Sequence, residues 1–110
     1  MNIFASDRIQ PKNIRFPKGM DKLSWTVVKS YKDLCDVLLK SPKVHNLVLD
    51  ATASDEYNGL KCAKALTEIT CDKHTTLPTM LVVGPNEGMK KAIETHIHNS
   101  KRWIDINKGK

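Results

Sequence analysis

The sequence predicts a single α/β domain with a mostly parallel five-stranded sheet between two layers of helices. Its 110 residues fit one domain with a substantial core. Short apolar runs of strand length alternate with amphipathic helical patterns, which implies right-handed crossovers and therefore parallel strands. Two of these runs are almost wholly apolar, as strands are when helices cover both faces of a sheet. We assign the domain to residues 1–106 and expect residues 107–110 to form a flexible basic tail.

The first half of the chain predicts two strands, a long loop and a helix. Residues 2–5 and residues 23–28 are apolar, β-branched or aromatic and predict strands. Between them, residues 6–22 contain two prolines and a glycine and show no periodicity, so a loop takes the place of the first crossover helix. A helix then begins at Ser30, a good N-cap residue, and is stopped by Ser41-Pro42.

The second half predicts three further strands separated by two helices. Residues 45–50 form an apolar strand that ends on an aspartate, and a helix covers residues 57–72. Residues 78–83 form the next strand, with its proline at the entry position that strands tolerate. A helix lined by Met89 and later apolar residues follows, and the alternation in residues 101–106 predicts a fifth strand.

The positive charge of the chain is compatible with an acidic partner, and the alternative is that it only keeps the protein in solution. The net charge is +6 and the isoelectric point is near 9.3. Such a surface attracts nucleic acid or an acidic protein. The candidate contact residues lie mainly in the loop: Arg8, Lys12, Arg15, Lys18 and Lys22.

Other features of the composition favour a cytoplasmic protein. No apolar run approaches the roughly 20 residues that span a bilayer, so we expect no membrane partner. The N-terminus lacks the basic-then-apolar layout of a secretory signal. The three cysteines, Cys35, Cys62 and Cys71, are odd in number and form no C-x-x-C pair, which favours reduced thiols.

Two aspartates are candidate site residues because each follows the end of a predicted strand. Asp7 lies just after the first strand, and Asp50 ends the middle strand. The carboxyl ends of parallel strands border the crevice where ligands bind. Two carboxylates there could hold Mg²⁺, which is the one cofactor that this pattern indicates. Alternatively, one of the carboxylates could accept a phosphoryl group. The alternative, which we favour, is that Asp50 braces the polar loop after its strand.

The remaining polar motifs give weaker indications. Asn86 and the glycine that soon follows it precede a helix, whose N-terminus is an intrinsic anion site, but helix capping is the simpler interpretation. Cys71 and His74 supply two ligands where a structural zinc site needs four. His96 and His98 point in different directions on a helix, so no metal site is predicted there.

These motifs together resemble one family. Ala5-Ser6-Asp7-Arg8 follows the first strand, Leu49-Asp50 precedes the Asn58-Gly59 pair that opens a helix, and a strand led by a proline is followed by Val83-Gly84-Pro85-Asn86. The chain resembles the cyclic-phosphate processing receiver domain, a compact branch of the receiver fold, over roughly residues 3–97. The positions that match are Arg8, Trp25, Asp50, Gly59, Pro78 and Asn86.

The resemblance implies a receiver-like, or flavodoxin-like, three-layer fold and phosphate chemistry carried by acids and histidines. This chain departs from that pattern where the chemistry would lie. Ala5 and Ser6 stand where the family has two aspartates, and Ala51 and Val83 stand where it has histidines. General acid–base catalysis needs a titratable group, which alanine and valine cannot supply. The lysine that follows the last strand of receivers has no close counterpart, since Lys108 matches it only loosely.

We therefore interpret the chain as a receiver-like domain without catalytic residues. The leading hypothesis is a regulatory or adaptor protein that binds a protein partner, encoded by a phage or mobile element and acting in the host cytoplasm. Contact would use the basic loop or the crevice edge near Asp50 and Asn86. The alternatives are a basic nucleic-acid-binding module and a residual phosphoacceptor or cyclic-phosphate-processing enzyme that depends on Asp50. The oligomeric state stays open.

Overall fold

The structure, a computed structural model, describes residues 1–20, 22–40, 43–72 and 77–107. Within these residues the structure has four strands and three α-helices. The first two strands come in succession, and after them helices and strands alternate. The elements are β1 (Asn2–Ala5), β2 (Thr26–Val28), α1 (Tyr31–Lys40), β3 (Asn46–Asp50), α2 (Gly59–Asp72), β4 (Thr79–Val83) and α3 (Glu87–Asn107). The predicted α/β class is confirmed.

The four strands form one parallel sheet in the order β2-β1-β3-β4. Phe4 in β1 lies opposite Val27 in β2 and Val48 in β3. Val48 in turn lies opposite Leu81 in β4. This order is compatible with a flavodoxin-like layout, with the carboxyl ends of all four strands at the same edge.

All three helices pack on one face of the sheet. The connections from β2 to β3 and from β3 to β4 step across the sheet in the same direction, so right-handed crossovers place them on the same side. Side chains from every helix share one buried cluster with that face: Ile3, Ala5, Val28, Leu47 and Leu49 from the strands, and Leu34, Leu38, Cys62, Ala63, Leu66 and Ile93 from the helices. The core therefore lies between the sheet and a single helical layer.

The opposite face is covered by the connection between β1 and β2, which steps across the sheet in the other direction. Among the described residues of this connection, the one helical element is a short 3-10 helix at Pro11–Asn13, as expected of a loop that replaces a crossover helix. Phe16 and Trp25 stack with their ring centroids 5.2 Å apart, and each makes a T-shaped contact with the buried Phe4 ring. The prediction that helices cover both faces of the sheet is therefore wrong for the described part of the chain.

The predicted fifth strand is also wrong. Residues 101–106 continue α3, which runs without a break from Glu87 to Asn107. Their alternation is equally compatible with a helix, and no proline or glycine lies between Met89 and Asn107 to end one. Among the described residues, no helix is both long enough and apolar enough to cross a bilayer.

Several sequence expectations lie outside the described residues. These are the helix stop at Ser41-Pro42, the Cys71–His74 pair through His74, and residues 108–110 of the predicted tail, which include Lys108. The first residue of that predicted tail, Asn107, is the last residue of α3.

His96 joins α3 to α2. Its Nε2 lies 3.0 Å from the hydroxyl of Thr67, which itself donates to the carbonyl of Lys64. Burial lowers the pKa of His96 from its ordinary value of 6.5, and the nearby cation of Lys64 lowers it further. The folded chain therefore favours the neutral imidazole at this position.

We expect His96 to make the fold less stable in mild acid. Because its pKa is lower in the folded state, the unfolded chain takes up a proton first as the pH falls below about 6.5. The contribution of His96 is complete above that pH and is lost as the pH falls through the lowered pKa. Urea unfolding at pH 7.5 and pH 5.5 measures the difference, which His96→Gln should reduce. Identical pH profiles for the two proteins would contradict this assignment.

Candidate functional site

The carboxylate of Asp50 lies at the carboxyl end of β3 and is fully buried. The hydroxyl of Ser6 donates to its Oδ2 at 2.7 Å. Nε of Arg8 lies 2.9 Å from the same oxygen, and Nη2 of Arg8 donates to Oδ1 at 3.1 Å. Both carboxylate oxygens are therefore occupied, and we call Ser6, Arg8 and Asp50 the carboxylate clamp.

The local sequence after β1 builds this clamp. The amide of Ser6 continues the strand pairing by donating to the carbonyl of Val28 at 3.0 Å. Its hydroxyl oxygen accepts from the amides of Arg8 and Ile9, at 3.2 and 3.1 Å. This tight turn directs the Arg8 side chain back over the end of the sheet. The side chain of Arg8 remains 42% exposed, whereas that of Asp50 is 0% exposed.

Tyr57 supports the backbone on which Asp50 stands. Its hydroxyl accepts from the amide of Asp50 at 3.0 Å, and it lies 2.7 Å from the carbonyl oxygen of Asp50 and 3.0 Å from that of Ala5. Burial raises the pKa of Tyr57, so the phenol keeps its one proton and donates it to one of these two carbonyls or shares it between them. The ends of β1 and β3 are held together at this point.

Gly84 closes the remaining side of the carboxylate. Its φ is +115°, in the region that favours glycine. A Cβ at this position would lie 2.6 Å from Oδ1 of Asp50 and 3.1 Å from the amide of Ala51. The chain after β4 therefore approaches Asp50 too closely for any side chain at this position.

Asp7 does not join the clamp. Its side chain is exposed and accepts a hydrogen bond from the hydroxyl of Ser54, in the connection after β3. Asp7 and Asp50 therefore have different partners, since Ser54 bonds to Asp7 while Ser6 and Arg8 bond to Asp50. No group of three or more His, Cys, Asp or Glu side chains is placed to hold a metal ion in the described part of the chain.

The other candidate contact residues divide into two groups. Arg8 is bound to Asp50, and the side chain of Asn86 caps α3 by accepting from the amide of Met89 at 2.9 Å. The remaining four are exposed along the connection between β1 and β2: Lys12, Arg15, Lys18 and Lys22. We call these four residues the basic segment.

A cavity of about 390 Å³ lies between the start of α1 and the connection that leads to α2, with Tyr57 in its lining. Charged side chains of both signs line it: Lys32, Lys61, Asp55 and Glu56. The adjoining helix ends are capped by the chain itself. Ser30 accepts from the amide of Asp33 at 3.1 Å, and Asn58 accepts from the amide of Lys61 at 3.0 Å.

Replacing Arg8 with leucine is expected to destabilise the fold strongly. It would leave a buried carboxylate without its cation, which costs roughly 2–4 kcal/mol after allowance for the partial exposure of Arg8. Arg15→Leu removes the same charge from an exposed position and should change stability by less than about 0.5 kcal/mol. Urea unfolding of both variants measures the effect. Equal stabilities would show that the clamp contributes little.

Comparison with known proteins identifies no relative. No protein-family model matches the chain, and neither the curated proteins nor the solved structures yield a match. The resemblance to the cyclic-phosphate processing receiver domain therefore rests on the residues quoted for it and stays a prediction.

Proposed function

We propose that this chain is a non-catalytic, receiver-like binding domain that docks an acidic protein partner through its basic segment. The observation that carries the proposal is the state of Asp50. This residue is the one family acid that the chain keeps, and Arg8 and Ser6 bind both of its oxygens.

The clamp supports a structural role for Asp50 over a phosphoacceptor role. A phosphoacceptor needs one carboxylate oxygen free to attack phosphorus and space for the product. Asp50 is fully buried, and the backbone at Gly84 lies against its Oδ1. In the receiver-like interpretation, Ala5 and Ser6 stand where the family's acids would be expected, and Ser6 donates a hydrogen bond to Asp50 where an acid would help to hold a cation. No titratable side chain stands at the two positions matched to histidines, Ala51 and Val83.

The basic segment supports binding because its cations are presented on an anchored stretch of chain. Phe16 lies between Arg15 and Lys18 in the sequence and stacks on Trp25, which precedes β2. The clamp holds the other end of the segment through Arg8. Cations held on an ordered chain lose less conformational entropy when they bind a partner.

The aromatic pair favours an acidic protein over single-stranded nucleic acid. Proteins that bind single strands offer open aromatic faces on which bases stack. Here Phe16 and Trp25 each use one face on the other ring, and both rings contact Phe4. Nε1 of Trp25 is itself buried. The pair thus serves as an anchor for the chain.

Charge reversal tests the basic segment. We expect the triple variant Lys12→Glu, Arg15→Glu, Lys18→Glu to bind the partner at least about tenfold more weakly, because favourable charge contacts become repulsive. The control variant Lys61→Glu, Lys64→Glu, Lys91→Glu has the same net charge and alters exposed lysines on the helical side. Its affinity should be close to that of the wild type.

The partner for this test comes from affinity capture in native lysate with and without nuclease, followed by mass spectrometry. A stoichiometric protein that survives nuclease and discriminates the two triple variants supports the proposal. Equal affinity of the two triple variants for the partner would show that the basic segment does not take part in binding. Capture that nuclease abolishes, with affinity that falls steeply with salt, would replace the protein partner with nucleic acid.

A titration with Mg²⁺ and fluoroberyllate, a phosphoryl mimic, tests the non-catalytic part. We expect the backbone amide resonances of residues 49–52 to stay unchanged, because the oxygens of Asp50 are already bound. Shifts in the wild type that Asp50→Asn abolishes would contradict the proposal and indicate a phosphoacceptor.

A further inference from the structure

The outer edge of β4 is unpaired among the described residues. β4 is the last strand of the sheet and pairs only with β3. The amide of Thr79 and the carbonyl of Val83 point toward β3, where they bond to His45 and Ala51. Because alternate residues of a strand direct their peptide groups to opposite sides, Met80 and Val82 direct theirs away from the sheet.

This edge lacks the usual protection against strand pairing. Natural edge strands are commonly short, charged, bulged or interrupted by proline. β4 has five residues, of which four are apolar and none is charged. These four apolar side chains are only partly buried, whereas the apolar residues of β3 are fully buried. The edge of β4 is thus suited to pair with another strand.

A groove of about 450 Å³ runs along this edge. The side chains of Met80 and Val82 face the helical layer, whereas that of Leu81 faces the other side of the sheet. Because the groove is lined by all three residues, it opens at the edge of the strand. Its other wall is one stripe of α3, formed by Lys90, Glu94, Ile97, His98 and Lys101. The groove lies where the next strand of the sheet would be.

We propose that this groove binds an extended, acidic segment of a partner protein, which adds a fifth strand to β4. Strand addition would pair the free peptide groups of Met80 and Val82. The apolar side chains of the strand would contact the floor, and its acidic side chains would reach Lys90 and Lys101. This surface is separate from the basic segment, which lies toward β1 and β2, so the inference does not depend on the proposed function.

Charge complementarity decides the occupant. The groove wall carries two lysines and one glutamate, on a chain of net charge +6. A second copy docked edge to edge would bring the same lysines of two basic chains together, and like charges across an interface oppose binding. An acidic strand, in contrast, would be attracted by the positive charge of the lysines and of the chain as a whole.

Peptide selection followed by variants of the edge tests this proposal. Random twelve-residue peptides displayed on phage are selected against the immobilised full chain, and affinities of the enriched peptides are measured by fluorescence anisotropy. We expect sequences that alternate apolar and acidic residues. Val82→Pro removes an outward amide while leaving the pairing with β3 intact, and it should weaken binding at least about tenfold.

A matched pair of charge variants keeps the test decisive if Val82→Pro does not fold. Lys90→Glu with Lys101→Glu should also weaken binding at least about tenfold, whereas Lys91→Glu, an exposed neighbour outside the groove, should change it less than about twofold. The triple reversal in the basic segment should leave peptide binding unchanged. In hydrogen exchange, the bound peptide should protect the amides of Met80 and Val82.

Three results would overturn the proposal. The first is the absence of any enriched peptide. The second is peptide binding that Val82→Pro and the Lys90 and Lys101 reversals leave unchanged. The third is concentration-dependent dimerisation in sedimentation analysis that Val82→Pro abolishes, which would make a second copy the occupant.

Discussion

The burial of the Asp50 charge constrains the rest of the structure. An ionised carboxylate removed from water is strongly unfavourable unless a cation and hydrogen-bond donors replace the lost hydration. Arg8 supplies a two-point contact with both oxygens, and Ser6 supplies a hydroxyl. Both residues lie in the turn after β1, so the need to pair Asp50 also sets the course of the chain as it leaves the sheet. The basic segment begins from that turn.

The same interaction bears on the chemistry of the site. A guanidinium stays protonated throughout the physiological pH range. The carboxylate of Asp50 is thus paired with a cation that is part of the chain. A bound metal ion could leave and be replaced, whereas this cation cannot. Tyr57 adds to this by holding the backbone ends of β1 and β3 around a phenol whose pKa burial raises. We infer that a cation built into the chain, in place of an exchangeable metal ion, favours a structural and binding role over phosphoryl exchange.

The sequence predicted the positions of those strands that are determined by apolar composition alone. β1, β3 and β4 and the start of α1 lie within a residue or two of their expected places. The fifth strand failed because residues 101–106 fit both periodicities, and the deciding signal was the lack of any helix-ending residue after Met89. Helices on both faces failed because strand order, which composition does not encode, determines where each crossover lies.

The candidate site was predictable only in part. The position of Asp50 at the end of a buried strand followed from the sequence. Its partners did not, because Ser6 and Arg8 are 44 and 42 residues away and belong to the connection after β1 rather than to the loop after β3. Ser6 offered a signal, since it stands at the position of a family acid. Tyr57 offered none, because nothing in its local pattern distinguishes a core tyrosine from one that bonds to two strand ends.

The direction of the connections divides the surface of the domain. The steps from β2 to β3 and from β3 to β4 place α1 and α2 on one face, and Ile93 packs α3 on the same face. The step from β1 to β2 places an irregular, basic stretch on the other face. With α3 occupying the residues expected to form a fifth strand, the chain supplies no strand among its described residues to pair with the outer edge of β4. One sheet therefore presents two unlike cationic surfaces: side chains anchored by aromatic rings near β1 and β2, and unpaired peptide groups beside lysines at β4. The first can recognise the charge of a partner, and the second can recognise charge only on a segment able to extend as a strand.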